Sequence, residues 1–394
     1  MPFDLRPESI LVWLAVLFIF SLFMMLLLPQ QMALSSRLWI KHVRKSVSEL
    51  EKWAKDGRRI ALGTITKHGR PKRDVEKGLD NMLEFFAIEP VHEDPVGVLR
   101  RLEHVLDVRK KRFEGAVADL APKADPEAAA NVEMVIEGAM ANYLIFRLVR
   151  HFMLLAEKTK SYQLIMVLQM QMPFLKDLAK AYLEATKAFA DGKAIGDGVG
   201  AMVATKLIGK ATCKELVEDT VYAETKLDGR RLLVVKARGP GGRVGKPGEL
   251  IQRLVKRQKV DRIIMIDAAQ KLEGEVSGQV IEGVGAAIGG PPTEKYKIEE
   301  VAVKHKIPLD AIVIKESLKE AITPLNQRLA KGADITVERI KLAIHERTRA
   351  GDTVIIAGIG NTIGIGQRAD QLPKEFPPPK KEEKEIESYL LPFR

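Results

Sequence analysis

Ser9 to Leu28 is an uncharged, apolar run of about twenty residues. As a helix it is long enough to cross a hydrocarbon core of about 30 Å, and this fixes how everything after it must be arranged. A cleaved signal peptide is the rival reading, and Ala33 and Ser35 imitate a cleavage site. Asp4, Arg6 and Glu8 give no net positive charge ahead of the run, however, and the run exceeds the roughly 7 to 15 apolar residues of a signal peptide. We therefore expect a single-pass anchor over 9–28 that holds the chain at the cell membrane.

Past Pro29 come Arg37, Lys41, Arg44, Lys45, Lys52, Lys55, Arg58 and Arg59, against Arg6 alone on the short side. Lys and Arg stay preferentially on the cytoplasmic side, so residues 1–8 are expected outside and the large C-terminal part in the cytoplasm. The cations between 37 and 59 would then lie near anionic lipid headgroups, each adding on the order of 1 kcal/mol of attraction. The net charge of +11 would also suit a nucleic acid. Much of that excess sits beside the anchor and no aromatic and basic residues alternate elsewhere, so nucleic acid is not an expected partner. The single cysteine, Cys213, excludes an internal disulfide and any multi-thiolate zinc site, which agrees with a reducing compartment. Abundant Lys and Glu lean toward a thermophilic source.

Residues 29–74 read as a basic juxtamembrane helix and a connector. Leu38, Ile40, Val43, Val47, Leu50 and Trp53 recur at helical spacing among cations, and Arg59 to Arg73 reads as a strand or extended stretch. From 75 to 191 the pattern is helical, broken at Pro90, at Asp94-Pro95 and between Pro122 and Pro126; Asp94 suits an N-cap with Pro95 at the first helical position. Met140 to Leu155 is apolar enough to suggest a second span, but Arg147, Arg150 and His151 interrupt it and favour a bundle helix. The methionines at 166, 170 and 172 fill a core or mark an adaptable groove, and this helical domain can recruit a protein partner.

After Gly192 short β-branched runs alternate with amphipathic stretches. Arg231–Lys236, Arg262–Ile266, Ala311–Ile314 and Thr353–Ala357 read as buried strands, with helices around Val199–Ile208, Pro247–Arg257, Lys297–Lys306 and Val337–Arg349. This predicts an α/β domain over 192–369, a mostly parallel Rossmann-like sheet with helices on both faces, followed by a charged, Pro-rich, solvated tail over 370–394.

Ligands of open α/β sheets bind beyond the carboxyl ends of the strands. Three elements fall there or at a helix start: Gly196-Asp197-Gly198-Val199-Gly200, Ile266-Asp267-Ala268, and Gly358-Ile359-Gly360-Asn361-Thr362. Two carboxylates sharing a cleft can split a proton, activate water or hold a divalent cation. The loop Ala237 to Lys246, with Gly239 and Gly241 between Arg238 and Arg243, offers backbone amides and cations to a phosphate or carboxylate. Glu282 to Gly290 reads as a glycine-rich flexible segment that can contact a ligand.

The three elements together resemble hydrogenase-maturation endopeptidases and the related spore germination proteases. In those enzymes a strand runs into Gly-x-Gly-Asn, an acidic residue precedes Gly-x-Gly at the first helix, and a later strand ends in Asp-Ala. Here Gly358-Ile359-Gly360-Asn361 stands last, so the resemblance implies a circular permutation. It implies Asp197 and Asp267 as catalytic or metal-holding carboxylates, with His305 as a third metal ligand. The whole chain also resembles an archaeal membrane-protein family of unassigned function, through Asn81 to Phe86 with Pro90-Val91 and Asp94-Pro95, and through the same three elements. Three functions follow as expectations: a membrane-tethered sensor or adaptor whose α/β domain binds a small molecule or peptide; an aspartate- or metal-dependent hydrolase; and a scaffold recruiting a membrane complex.

Overall fold

The computed structural model describes residues 7–69, 74–88, 97–290 and 292–379, with side chains from residue 38 onward. The side chains of the 9–28 run, the Asp94-Pro95 cap and the end of the tail lie outside the described residues. Among the described residues no helix is long and apolar enough to cross a membrane.

Among the described residues five helices come first: α1 (Pro7–Gly69), α2 (Val75–Leu83), α3 (Val98–Leu120), α4 (Pro126–Thr159) and α5 (Tyr162–Ala190). The expected strand or connector beginning at Arg59 is instead helix through Gly69. The short segment Ile60-Ala61-Leu62-Gly63-Thr64-Ile65 ahead of the Gly69-Arg70-Pro71 breaker reads as extended chain, but Ala61 and Ile65 are buried four residues apart and continue the apolar spacing of Leu50 and Ala54. The hydroxyls of Thr64 and Thr66 donate back to the carbonyls of Ile60 and Leu62, so tertiary burial overrides local propensity.

The chain forms two compact units. Residues up to Ala54 join Asn142–Ala179, and Lys55–Ala141 join Lys180 onward, so the division falls within α1, α4 and α5. In the first unit Val43, Val47 and Leu50 of α1 pack with Phe146, Val149 and Met153 of α4 and with Ile165, Leu168 and Met172 of α5. Intervals of three and four put each set on one helix face. Of the methionine run, Met172 is core while Met170 faces solvent.

The second unit holds the α/β domain. After a 3₁₀ turn at Gly196–Gly198 come α6 (Val199–Ile208), β1 (Lys214–Val217), β2 (Thr220–Leu227), β3 (Arg230–Ala237), α7 (Pro247–Arg257), β4 (Arg262–Gln270) and β5 (Val280–Val284). Then follow α8 (Pro292–His305), β6 (Leu309–Glu316), α9 (Leu318–Ile322), α10 (Gln327–Arg347) and β7 (Thr353–Gly358). The seven strands form one sheet in the order β1-β2-β3-β7-β4-β6-β5.

The sheet is mixed rather than mostly parallel. Its middle, β3-β7-β4-β6, is parallel, while β1, β2 and β5 pair antiparallel at the flanks. The antiparallel side has a local cause. Asp228 and Gly229 both take positive φ, 47° and 78°, which closes a two-residue hairpin between β2 and β3.

The parallel strands are buried on both faces, which is why they read as continuous apolar runs. Leu232, Val234, Ile264, Ile266, Val354 and Ile356 meet α6 and α10. Their neighbours Leu233, Val235, Ile263, Met265, Ile355 and Ala357 meet α7 and α8. The start of the tail is not wholly solvated: Leu372 and Phe376 pack on the first of these layers, and Gln327 donates to the carbonyl of Pro377.

Candidate functional site

Parallel pairing brings the carboxyl ends of β3, β7, β4 and β6 to one edge, with Lys236 and Ile266 both opposite Gly358 and Gln270 opposite Glu316. The helical N-terminus at Gly196–Gly200 lies across that edge. The alternation of core residues along the strands sends Glu316 toward the α6 layer and Asp267 toward the α7 layer.

Asp197, on the 3₁₀ turn, accepts the backbone N–H of Asn361 on Oδ2 at 2.9 Å. Asp267 accepts the N–H of Ala268 on Oδ1 at 2.8 Å and the N–H of Gly289 on Oδ2 at 2.6 Å. The glycine-rich 282–290 segment thus contacts a predicted site carboxylate directly. Glu316, which sequence reasoning missed, is 2% exposed and neither of its carboxyl oxygens has a hydrogen-bond partner among the described residues. Glu320 beside it is fully engaged, accepting from Ser277, Ser317 and Asn326.

The electrostatics follow from this packing. Burial first, and the negative Asp197 second, push the Asp267 carboxyl up to about 7. Burial, with Asp197, Glu320 and Asp267 adding to it, raises Glu316 well above the usual carboxylate range. Burial also raises Asp197, against the opposing N–H of Asn361. Glu320 is lowered instead, because its hydrogen bonds outweigh its burial. Near neutral pH the edge therefore holds protons on carboxyl groups within electrostatic reach of one another.

The glycines expected to bind a ligand stand in close contact with backbone. A Cβ on Gly196 would overlap the Glu316 carboxylate and Glu320 O; on Gly198, Asn361 O; on Gly200, Ile359 O and Ile266 O; on Gly358, Gly200 O. Gly360, at φ 128°, sits against Asp197 O. These glycines let the 358–361 segment and the 196–200 turn touch backbone to backbone. His305 is not brought to this edge. It lies exposed at the end of α8, just ahead of β6, whereas Glu316 ends β6. Among the described residues no group of three or more His, Cys, Asp or Glu side chains is placed to hold a metal ion.

Beyond β3 and β7 two loops are zipped together. Gly241 N–H donates to Thr362 O at 3.2 Å, Thr362 Oγ1 donates to Gly241 O at 2.6 Å, and Asn361 Nδ2 donates to Gly242 O at 3.4 Å. Lys236, fully buried, donates to the carbonyls of Gly366 and Arg238, one in each loop. Burial lowers its ammonium to about 8. The same burial pushes the neighbouring Cys213 thiol up, so that cysteine is not activated.

Gly239, Gly241 and Thr362, with Arg238 and Arg243, line a cavity of about 790 Å³ whose other wall comes from α3 and the start of α4. Arg243 binds Asp219 at 2.9 Å, Glu114 at 2.8 Å and Glu133 at 3.4 Å. Lys110 of α3 also reaches Asp219 at 2.9 Å. Burial alone would raise Asp219, but Lys110 and Arg243 overcome it and hold the carboxyl low. Glu133 is raised by burial despite Arg243.

Fold and site define a helical protein joined to a mixed α/β domain with an acidic carboxyl edge and an adjoining mixed-charge cavity. The chain belongs to a family of unknown function. Residues 15–192 match "Protein of unknown function (DUF1512) N-terminal domain", and residues 195–366 match "Domain of unknown function (DUF1512) C-terminal". No curated protein matches the sequence.

Proposed function

We propose that this chain is a membrane-tethered sensor or adaptor, single-pass with its folded part in the cytoplasm, whose α/β domain binds a small molecule or peptide. The observation that carries the binding reading is the cavity of about 790 Å³ at the carboxyl ends of β3 and β7. That volume is in the range of small-molecule sites, and the position is where open α/β sheets take ligands. Arg238 offers donors to a carboxylate and Glu133 an acceptor to an ammonium, so a zwitterionic peptide end matches both signs. The tether rests on the apolar run at 9–28 and the cations that follow it.

Unblocked dipeptides are the probe. They should raise the melting temperature of the full chain, and Ala130→Trp, which fills the cavity, should abolish the rise without altering the circular dichroism. If no dipeptide shifts melting, or the filled variant responds equally, the cavity is not the site.

A second reading, an aspartate-dependent hydrolase, is favoured by Asp267 standing near 7 beside Asp197. Such a pair offers a general acid and a general base at neutral pH. Asp197→Asn and Asp267→Asn should each lower cleavage of a fluorogenic peptide at least 100-fold, on the order of one catalytic group. Unchanged turnover rejects the dyad.

A further inference from the structure

A second cavity, of about 250 Å³, adjoins the larger one. Ala130, Glu133, Asp219 and Arg243 line both, so the two share a wall at the Arg243 ion pairs. Leu106 and Phe113 of α3, Met134 of α4 and Val244 line the smaller cavity and not the larger. Phe113 is fixed in place, 1% exposed and edge-on to Phe85 at 5.4 Å. Met134 lies against Gly242, and its unbranched thioether can adjust to a neighbour.

Charge in this cavity is unbalanced. Among the described residues seven carboxylates line it against four cations, and Lys297, which reaches Glu103 and Glu294, brings a fifth. Arg243 is shared among Glu114, Asp219 and Glu133, and Glu133 is the farthest of the three at 3.4 Å. Asp219 has Lys110 and Arg238 besides, whereas Glu133 has Arg243 alone among the described residues. A half-compensated carboxylate on the wall between two cavities favours an added cation.

We propose that the smaller cavity takes the first side chain of a bound peptide and selects lysine or arginine there. The inference rests on the peptide reading of the larger cavity. A peptide's terminal ammonium and its first side chain leave the same Cα atom, so an ammonium held at Glu133 sends that side chain toward what lies beside Glu133. Arg238 lines the larger cavity alone, which keeps the carboxylate end there. A lysine or arginine side chain has an apolar stem and a cationic head. The stem matches Leu106, Phe113 and Met134, and the head meets the surplus of carboxylates around them. An acidic side chain would be repelled, and a short apolar one would leave the surplus charge in place.

Calorimetric titration of the full chain with a series of unblocked dipeptides is the test. Lys-Ala should bind about tenfold tighter than norleucyl-Ala, which has the same stem without the charge, and Glu-Ala should bind weakest. Ala-Lys, with its basic side chain at the other end, should bind like Ala-Ala. Leu106→Trp, which fills the smaller cavity, should bring Lys-Ala down to the level of Ala-Ala with unchanged circular dichroism. Equal affinity for Lys-Ala and norleucyl-Ala overturns the inference while the peptide reading stands. Cadaverine binding as tightly as Lys-Ala overturns it as well, because the charge is then read without the peptide. If no dipeptide of the series binds, the peptide reading fails and the inference falls with it.

Discussion

The backbone N–H of Asn361 donates to the Asp197 carboxylate across 164 positions of sequence. It joins the beginning of the α/β domain to its end, and Gly360 beside it leaves Asp197 O just enough room. Because Gly360 takes φ 128° and faces that carbonyl, Gly360→Ala meets both strain and overlap. We expect a loss of about 2 kcal/mol or more in urea unfolding. A loss under 0.5 kcal/mol would mean that the two segments are not held together.

Asp267 is raised from 3.8 to about 7, and Glu316 is raised as well, beside Asp197 and Glu320. A raised group contributes stability that is complete below its unfolded value and is lost as pH climbs through its folded one. Stability should therefore decline between about pH 4 and pH 7, with Glu316 extending the decline above that. Asp267→Asn should flatten the lower part of the curve. Equal slopes for both proteins across this window would show that Asp267 is ionised throughout.

Lys236 is the opposite case, depressed to about 8. Its contribution is complete above the unfolded value near 10.5 and is lost as pH falls through about 8. The full cost of the buried ammonium is on the order of 3 kcal/mol. Wild-type stability should rise from about pH 8 to pH 10.5, and Lys236→Met should show no such rise; the check is unfolding at matched ionic strength.

Arg243→Ala removes the cation shared by Asp219, Glu114 and Glu133. Asp219 keeps Lys110 and Arg238, so the domain should survive with a loss of about 2 kcal/mol. Amide exchange in α3 should quicken more than in β4, and uniform quickening would argue against a local tie.

Much of the sheet could be read directly. Buried parallel strands appear as unbroken apolar runs, so β3, β4, β6 and β7 were legible, as were α6 and α7. The flanking strands were not, because β1 is only four residues long and β2 follows its three apolar residues Val221 to Ala223 with Glu224, Thr225 and Lys226, so neither gives an unbroken apolar run. Their one clear signal is the Asp228-Gly229 dipeptide, a hairpin turn that makes β2 and β3 antiparallel and the sheet mixed. At the site, Asp197 and Asn361 stand beside glycines and Asp267 interrupts an apolar strand run, which is what makes each visible in the sequence. Glu316 was not, since β6 seemed to stop at Ile314. Lys236 closed an apolar run and looked like a residue leaving the core, although it lies within it.

The family boundary between 192 and 195 also separates partners in ion pairs: Lys110 from Asp219, Asp107 from Lys246, Glu103 from Lys297, and Glu133 from Arg243. Two heritable segments are therefore one cooperative body in this region. A C-terminal segment recombined onto a foreign helical partner would arrive with Lys246 lacking Asp107, with Arg243 and Lys297 each short of a carboxylate though still paired to Asp219 and Glu294, and with one side of its cavity open. Such exchanges would be disfavoured unless α3 and the start of α4 travelled with it.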